Sequence, residues 1–158
     1  MTRILVVCLG NICRSPMAEA VFRQLIDERG LSEEITIASA ATSNWNDGQA
    51  PHQGTQAILA EHQISCEGLI SQQVKEKDFF EYDLILAMDQ QNKKDLQQLA
   101  PQSAQEKIKL FLAVLPEHDY TEVPDPYYTG DFQLTYDLVS QATVAWLDQL
   151  NKKKNFPV

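Results

Sequence analysis

The chain has 158 residues, enough for one domain with a real core, and its 44% hydrophobic and 22% charged content is that of an ordinary soluble globular protein. Its 13 basic and 22 acidic residues leave a net charge of −9, which argues against nucleic acid as a partner and repels acidic ligands at long range. Three cysteines do not make a disulfide framework, and no signal peptide or membrane span is visible, so a reducing cytoplasm is the expected home.

Taken in order, Ile4-Leu5-Val6-Val7 is an apolar run that reads as a buried strand, and Met17 to Ile26 carries apolar residues at helical spacing. Between them lies Cys8-Leu9-Gly10-Asn11-Ile12-Cys13-Arg14-Ser15-Pro16, a strand-to-helix turn. Ser15 is suited to cap the helix and Pro16 to its first position, while Gly10 and Asn11 tolerate a positive φ. Gly30 fits the end of this helix, and Ile35 to Ser39 predicts a second strand. Ala40 to Gln53 reads as a loop, Thr55 to Gln63 as a helix, and Glu67 to Lys77 as irregular or weakly helical. Tyr82 to Met88 is the clearest central strand, followed by Asp89 as a cap and a helix to Ala100 that Pro101 stops. A fourth strand is expected over Ile108 to Leu112, then a proline-bearing loop from His118 to Asp131 and a closing helix from Phe132 to Lys152. The run Lys152-Lys153-Lys154 reads as a solvated tail. Strands alternating with helical crossovers predict an α/β fold, an open four-stranded parallel sheet with helices on both faces.

In such sheets ligands bind beyond the carboxyl ends of the strands, where Cys8 falls. A loop whose amides converge with a helix N-terminus is an anion site, and it favours the thiolate of a cysteine at its mouth. Cys8 is therefore the candidate nucleophile. Arg14, with five residues between, can bind two oxygens of a phosphoryl group through its planar fork. The residues from Leu9 to Ser15, namely Leu9, Gly10, Asn11, Ile12, Cys13, Arg14 and Ser15, would wrap one tetrahedral anion. Asn11 is expected in a left-handed conformation with its side chain tied to neighbours, and the Ser15 hydroxyl can donate to the Cys8 sulfur.

If the Cys8 thiolate attacks phosphorus, an aryl oxide leaves on the far side, and a carboxylic acid there speeds the step by about 10²- to 10⁴-fold. Val123-Pro124-Asp125-Pro126-Tyr127-Tyr128 offers Asp125 on a stiff segment, although such a turn also occurs without any chemistry. Cys13 is close enough to Cys8 in a wrapped turn for a bridge, so a reversible Cys8 to Cys13 disulfide on oxidation is one reading of it, and a small apolar residue under the loop is the other. Cys66 reads as structural. His52, His62 and His118 show no ligand spacing, so no metal is expected.

The string from Val7 to Pro16 closely resembles the low-molecular-weight protein tyrosine phosphatases, and the likeness extends through Ser39-Ala40-Ala41-Thr42-Ser43 and Asp83 to Asp89 to Asp125. It implies one such domain over residues 1–158, hydrolysing phosphotyrosine and aryl phosphomonoesters through a cysteinyl-phosphate intermediate without a cofactor. Tyrosine-phosphorylated proteins would be the substrates and inorganic phosphate the product, with no nucleic acid or membrane involved. The family carries its general acid in an Asp-Pro-Tyr-Tyr segment, which Asp125 matches, and uses aromatic walls for the substrate ring, which Trp45 and Tyr127, with Tyr128 beside it, would supply. Asn11, Ser15 and Ser39 match a supporting hydrogen-bond network that usually includes a histidine. Here Leu69 stands where the histidine is usual and Gln72 where an arginine is usual, so a less firmly braced loop is expected. Arginine phosphatases of the wider family typically carry threonine at the position of Ile12, and arsenate reductases need an additional cysteine pair. Both are runners-up, with a phosphate-binding module of little turnover as the alternative from another class.

Overall fold

The computed structural model describes residues 1–116 and 119–154. Strand β1 (Thr2–Cys8) leads into helix α1 (Arg14–Glu28), and β2 (Ile35–Ala41) into α2 (Gln53–Glu61). A single turn α3 (Asp78–Glu81) precedes β3 (Leu84–Ala87), which feeds α4 (Gln90–Leu99). After a 3-10 segment, β4 (Ile108–Leu110) runs into a second 3-10 turn, then come the short α5 (Pro126–Thr129) and the long α6 (Phe132–Lys154).

All strand pairs are parallel and the order is β2-β1-β3-β4. Because the chain leaves β1 toward β2 and later leaves β3 toward β4, the winding reverses between β1 and β3. The carboxyl ends of these two strands flank the crevice where such sheets take ligands. Alternate strand residues face opposite ways: Ile4, Val6 and Cys8 pack toward α1 and α6, while Leu5 and Val7 pack with Phe79, Leu96 and Ile108 on the other face. Every residue of β3 is buried, as expected of a central strand covered on both sides.

The expected sheet is present, but several boundaries move. Helix α1 begins at Arg14 rather than after a Ser15 cap; Cys13 holds the cap position without a side-chain bond, and Pro16 stands third in the helix, still within the first turn where its missing N–H costs nothing. Gly30 ends α1 as expected, at φ +67°, with its N–H on Asp27 O and the Leu31 N–H on Ile26 O. Strand β2 runs on through Ala41, where 72–74 pair beside it, so the expected loop from Ala40 begins later. Helix α2 starts and ends two residues before the expected span, because His52 caps it through Nδ1. The fourth strand stops at Leu110, and the expected loop before α6 contains α5; the first residue of that loop, His118, lies outside the described residues. Asp131 caps α6 by accepting from the Leu134 N–H at 2.9 Å, and the helix continues through Lys154, so the lysine run belongs to its last turn. Cys66 packs half-buried against the larger core cluster, in keeping with a structural role. Among the described residues no helix is long and apolar enough to cross a membrane.

Candidate active site

The loop from Cys8 to Arg14 is held open from outside by its carbonyls. Leu9 O accepts from the Ser43 N–H at 3.1 Å and the Ser43 hydroxyl at 2.8 Å, Gly10 O from the Ser71 hydroxyl at 2.9 Å, Ile12 O from the His52 N–H at 2.7 Å, and Cys13 O from the Thr55 hydroxyl at 3.1 Å. In a trans peptide the following N–H points the opposite way, so the amides of Gly10, Asn11, Cys13 and Arg14 turn inward. The Asn11 N–H reaches the Cys8 sulfur at 3.3 Å. Such a ring of donors at the head of α1 suits a tetrahedral anion.

Asn11 is left-handed at φ +56°, as expected, and Asn pays less for that conformation than most residues. Its amide Oδ1 accepts from the Gln72 N–H at 3.1 Å, while Nδ2 donates to Ser15 Oγ at 2.7 Å and Ser39 Oγ at 2.9 Å. Ser15 Oγ lies 3.0 Å from the Cys8 sulfur. Since it already accepts from Asn11, its proton is free to be given to sulfur. Gly10 does not need a positive φ, contrary to the sequence expectation; a Cβ there would meet Asn46 Oδ1 at 2.7 Å and would have to push that side chain aside. The loop is also better braced than the Leu69 and Gln72 substitutions suggest. Leu69 is buried in the core, and the main chain of Gln72 supplies the bond to Asn11.

Arg14 is buried, and its Nη1 is committed to protein: it donates to Asp89 Oδ2 at 2.7 Å and to Val123 O at 2.9 Å. Nη2 lies 3.4 Å from Asp125 Oδ2, and Nε has no protein partner. Those two nitrogens form the side edge of the guanidinium, the bidentate edge for an oxyanion. Burial by itself lowers the Arg14 pKa, but Cys8, Asp125 and Asp89 around it carry it above the ordinary value. Cys13 is pushed up to about 12, first by burial and then by the charges of Cys8 and Asp125, so it is a thiol at neutral pH.

Asp125 stands before α5, its Oδ1 accepting the Tyr127 N–H at 3.1 Å. A cavity of about 270 Å³ is lined by Cys8, Leu9, Gly10, Ile12, Cys13, Arg14, Trp45, Asn46, Asp125, Tyr127 and Tyr128. The expected nucleophile, arginine, acid and aromatic walls are thus together, with Trp45 74% and Tyr127 60% exposed at the rim. The Tyr127 ring meets His52 edge-on at 6.1 Å and Tyr128 at 5.2 Å, so Tyr128 buttresses Tyr127 as well as lining the cavity. Ser39 lies behind the loop, not in the cavity. Sequence reasoning missed Asn46, Ser43, Ser71, His52, Thr55 and the tie from Asp89 to Arg14. Only Asp89 carried a signal, as a helix cap; Ser43, Ser71, His52 and Thr55 bond the loop's backbone and Asn46 lies against Gly10, and no spacing within the chain reveals either.

An arrangement of this kind can attack phosphorus with sulfur, bind the equatorial oxygens with amides and guanidinium, and protonate a leaving oxygen. Comparison with known proteins points the same way. The profile of the family described as low molecular weight phosphotyrosine protein phosphatase matches residues 3–156. The low molecular weight protein-tyrosine-phosphatase YfkJ of Bacillus subtilis is 42% identical over 154 residues, 98% of this chain and 99% of that protein. The corresponding PtpA of Staphylococcus saprophyticus is 44% identical over 142 residues, 90% of this chain and 89% of that protein. The crystal structure of YfkJ superposes with a TM-score of 0.95, covering 98% of this chain and 97% of that one. A protein tyrosine phosphatase from Entamoeba histolytica, 33% identical, gives 0.91 over 98% and 99% of the two chains. The chain belongs to the low molecular weight phosphotyrosine protein phosphatase family.

Proposed function

We propose that residues 1–158 act as one phosphatase domain that hydrolyses phosphotyrosine and aryl phosphomonoesters in two displacements at phosphorus. The observation that carries the reading is the convergence on Cys8: the Asn11 N–H at 3.3 Å, the Ser15 hydroxyl at 3.0 Å, and, in the same cavity, the Arg14 edge whose Nε has no protein partner and whose Nη2 lies 3.4 Å from Asp125. The Cys8 thiolate attacks phosphorus while the aryl oxygen leaves, taking a proton from Asp125. The three equatorial oxygens lie against the loop amides and the Nε and Nη2 of Arg14, donors already oriented before charge develops. Asp125, now a carboxylate, takes a proton from water as that water attacks the cysteinyl-phosphate. The sulfur then leaves as a thiolate received by the Ser15 hydroxyl and the Asn11 N–H, and inorganic phosphate departs.

The slot between Trp45 and Tyr127 suits a flat ring through stacking and apolar burial. Phosphoproteins are the substrate class of the family. The reading further takes phosphotyrosine as the residue, the cytoplasm as the location, and neither membrane nor nucleic acid as partner, in keeping with the acidic chain. Ile12 and the half-buried, lone Cys66 keep the arginine phosphatase and arsenate reductase readings behind it.

Redox sensitivity is part of the proposal. A peroxide oxidises the Cys8 thiolate to a sulfenic acid; the Cys13 sulfur attacks it, losing its proton as water leaves, and two external thiols reduce the disulfide. Inactivation by peroxide that thiols reverse in the wild type and fail to reverse in Cys13→Ser is the expected pattern.

The decisive test is hydrolysis of phenyl phosphate with a chelator present, alongside Cys8→Ser. Turnover that resists chelation and disappears in the variant supports cysteine catalysis. A folded, reduced wild type that binds phosphate without forming a cysteinyl-phosphate overturns it in favour of a binding module, and arsenate-dependent thiol consumption would favour a reductase.

A further inference from the structure

Glu19 lies one turn beyond Ser15 on α1, and no step above uses it. Its Oε1 accepts the Ser39 hydroxyl at 2.6 Å. That bond fixes the direction of the Ser39 hydroxyl. Ser39 has one proton, so once the carboxylate takes it Ser39 can only accept from Asn11, whose Nδ2 lies at 2.9 Å. Asn11 cannot turn its amide round, because Oδ1 is occupied by the Gln72 N–H at 3.1 Å. The second Nδ2 proton goes to Ser15 Oγ at 2.7 Å, which leaves the Ser15 proton for the Cys8 sulfur at 3.0 Å. The chain of bonds thus has one direction, fixed at Asn11 by the Gln72 N–H and closed at its far end by an acid that can accept and, when ionised, cannot donate.

We propose that Glu19 is a positioning residue for the nucleophile, closing from α1 the hydrogen-bond chain Glu19–Ser39–Asn11–Ser15–Cys8 that keeps the phosphate loop in its left-handed turn and the Ser15 proton on sulfur. Burial raises the Glu19 pKa above the ordinary carboxylate value, and the Ser39 bond and the neighbouring Arg23 offset that rise only in part.

The proposal rests on Cys8 being the nucleophile, and its test fails separately from that reading. In the full chain, alkylation of Cys8 by iodoacetamide is followed by mass against pH for the wild type, Glu19→Ala, Glu19→Gln, Ser39→Ala and the Glu19→Ala Ser39→Ala pair. Arg14, Cys13 and Asp125 face the sulfur unchanged in all of them. The expected result is an alkylation profile displaced to higher pH in Glu19→Ala, with kcat on phenyl phosphate down about tenfold, the size of one lost hydrogen bond, and KM little changed. Glu19→Gln keeps an acceptor oxygen in place and should recover most of both. The paired variant should lose no more than Ser39→Ala alone, since both break one chain. A wild-type profile and kcat in Glu19→Ala overturns the proposal, as do losses that simply add in the paired variant. Turnover surviving in Cys8→Ser would instead remove the nucleophile, whatever the alkylation profiles show.

Discussion

Arg14 and Asp125 illustrate how much of this site depends on single atoms. Each hydrogen of the Arg14 Nη1 is already given to protein, at Asp89 Oδ2 and Val123 O, so the side chain cannot rotate to bind an anion end-on. What remains is the Nε and Nη2 edge, aligned in advance. Asp125 is held differently, its Oδ1 fixed by the Tyr127 N–H and its Oδ2 only 3.4 Å from Arg14 Nη2. The proposed acid therefore lies against the same guanidinium that is proposed to grip the phosphoryl group. Asp125→Asn keeps these contacts in outline and removes the transferable proton. It should lower kcat on phenyl phosphate by about 10²-fold or more, and much less on an aryl phosphate whose leaving group needs no proton. Comparing the two substrates in one variant checks this.

At the scale of elements, Asp89 joins two tasks. It caps α4 by accepting from the Asn92 N–H at 2.7 Å, and it is the close partner of a buried arginine that begins α1. Asp89→Ala should cost the roughly 1 kcal/mol of a lost cap and a further amount of similar size for the uncompensated guanidinium, moderated because Asp89 is partly exposed. Denaturant unfolding measures the total, and added phosphate should restore part of it by binding the folded state. A second contact between elements sits under the substrate wall. A Cβ on Gly54, in the first turn of α2, would meet the Phe132 ring at 2.5 Å, and Phe132 stacks on His52, which in turn touches Tyr127. Helical propensity alone would make Gly54→Ala stabilising by about 1 kcal/mol. The clash with a ring should reverse that sign to a loss of about 1–3 kcal/mol, with KM raised as Tyr127 shifts, measured by thermal melting and by steady-state kinetics.

Across the whole molecule, the acidic chain sets the terms on which a dianionic substrate approaches. Long-range repulsion is screened by salt, so kcat/KM for an acidic phosphopeptide should rise between low and physiological ionic strength, whereas for a basic one it should fall. Stopped-flow or steady-state rates at constant pH distinguish the two slopes. The fold was legible at this scale because apolar runs and helical spacing alternate along the chain, and buried β3 in particular has no competing interpretation. The loop from Cys8 to Ser15 was legible because turn, thiol and guanidinium are contiguous. What stayed hidden was tertiary. Helix α1 starts before Ser15, whose hydroxyl lies at the sulfur, and Gly10 lies against the side chain of Asn46, distant in sequence. Likewise no local pattern joins Glu19 to Ser39 or Ser71 to Gly10, since each pair meets only when the sheet has formed.

The inward amides and the single remaining edge of Arg14 also count the oxygens they will accept. A monoester brings three non-bridging oxygens into the ring; a phosphodiester brings two and a bulky fourth substituent. One buried donor would then face carbon or a weakly basic ester oxygen, at a cost of about 1–3 kcal/mol before any steric conflict with the enclosing carbonyl ties is added. Discrimination against diesters is thus expected of the anion ring itself, independent of the proposed aromatic walls.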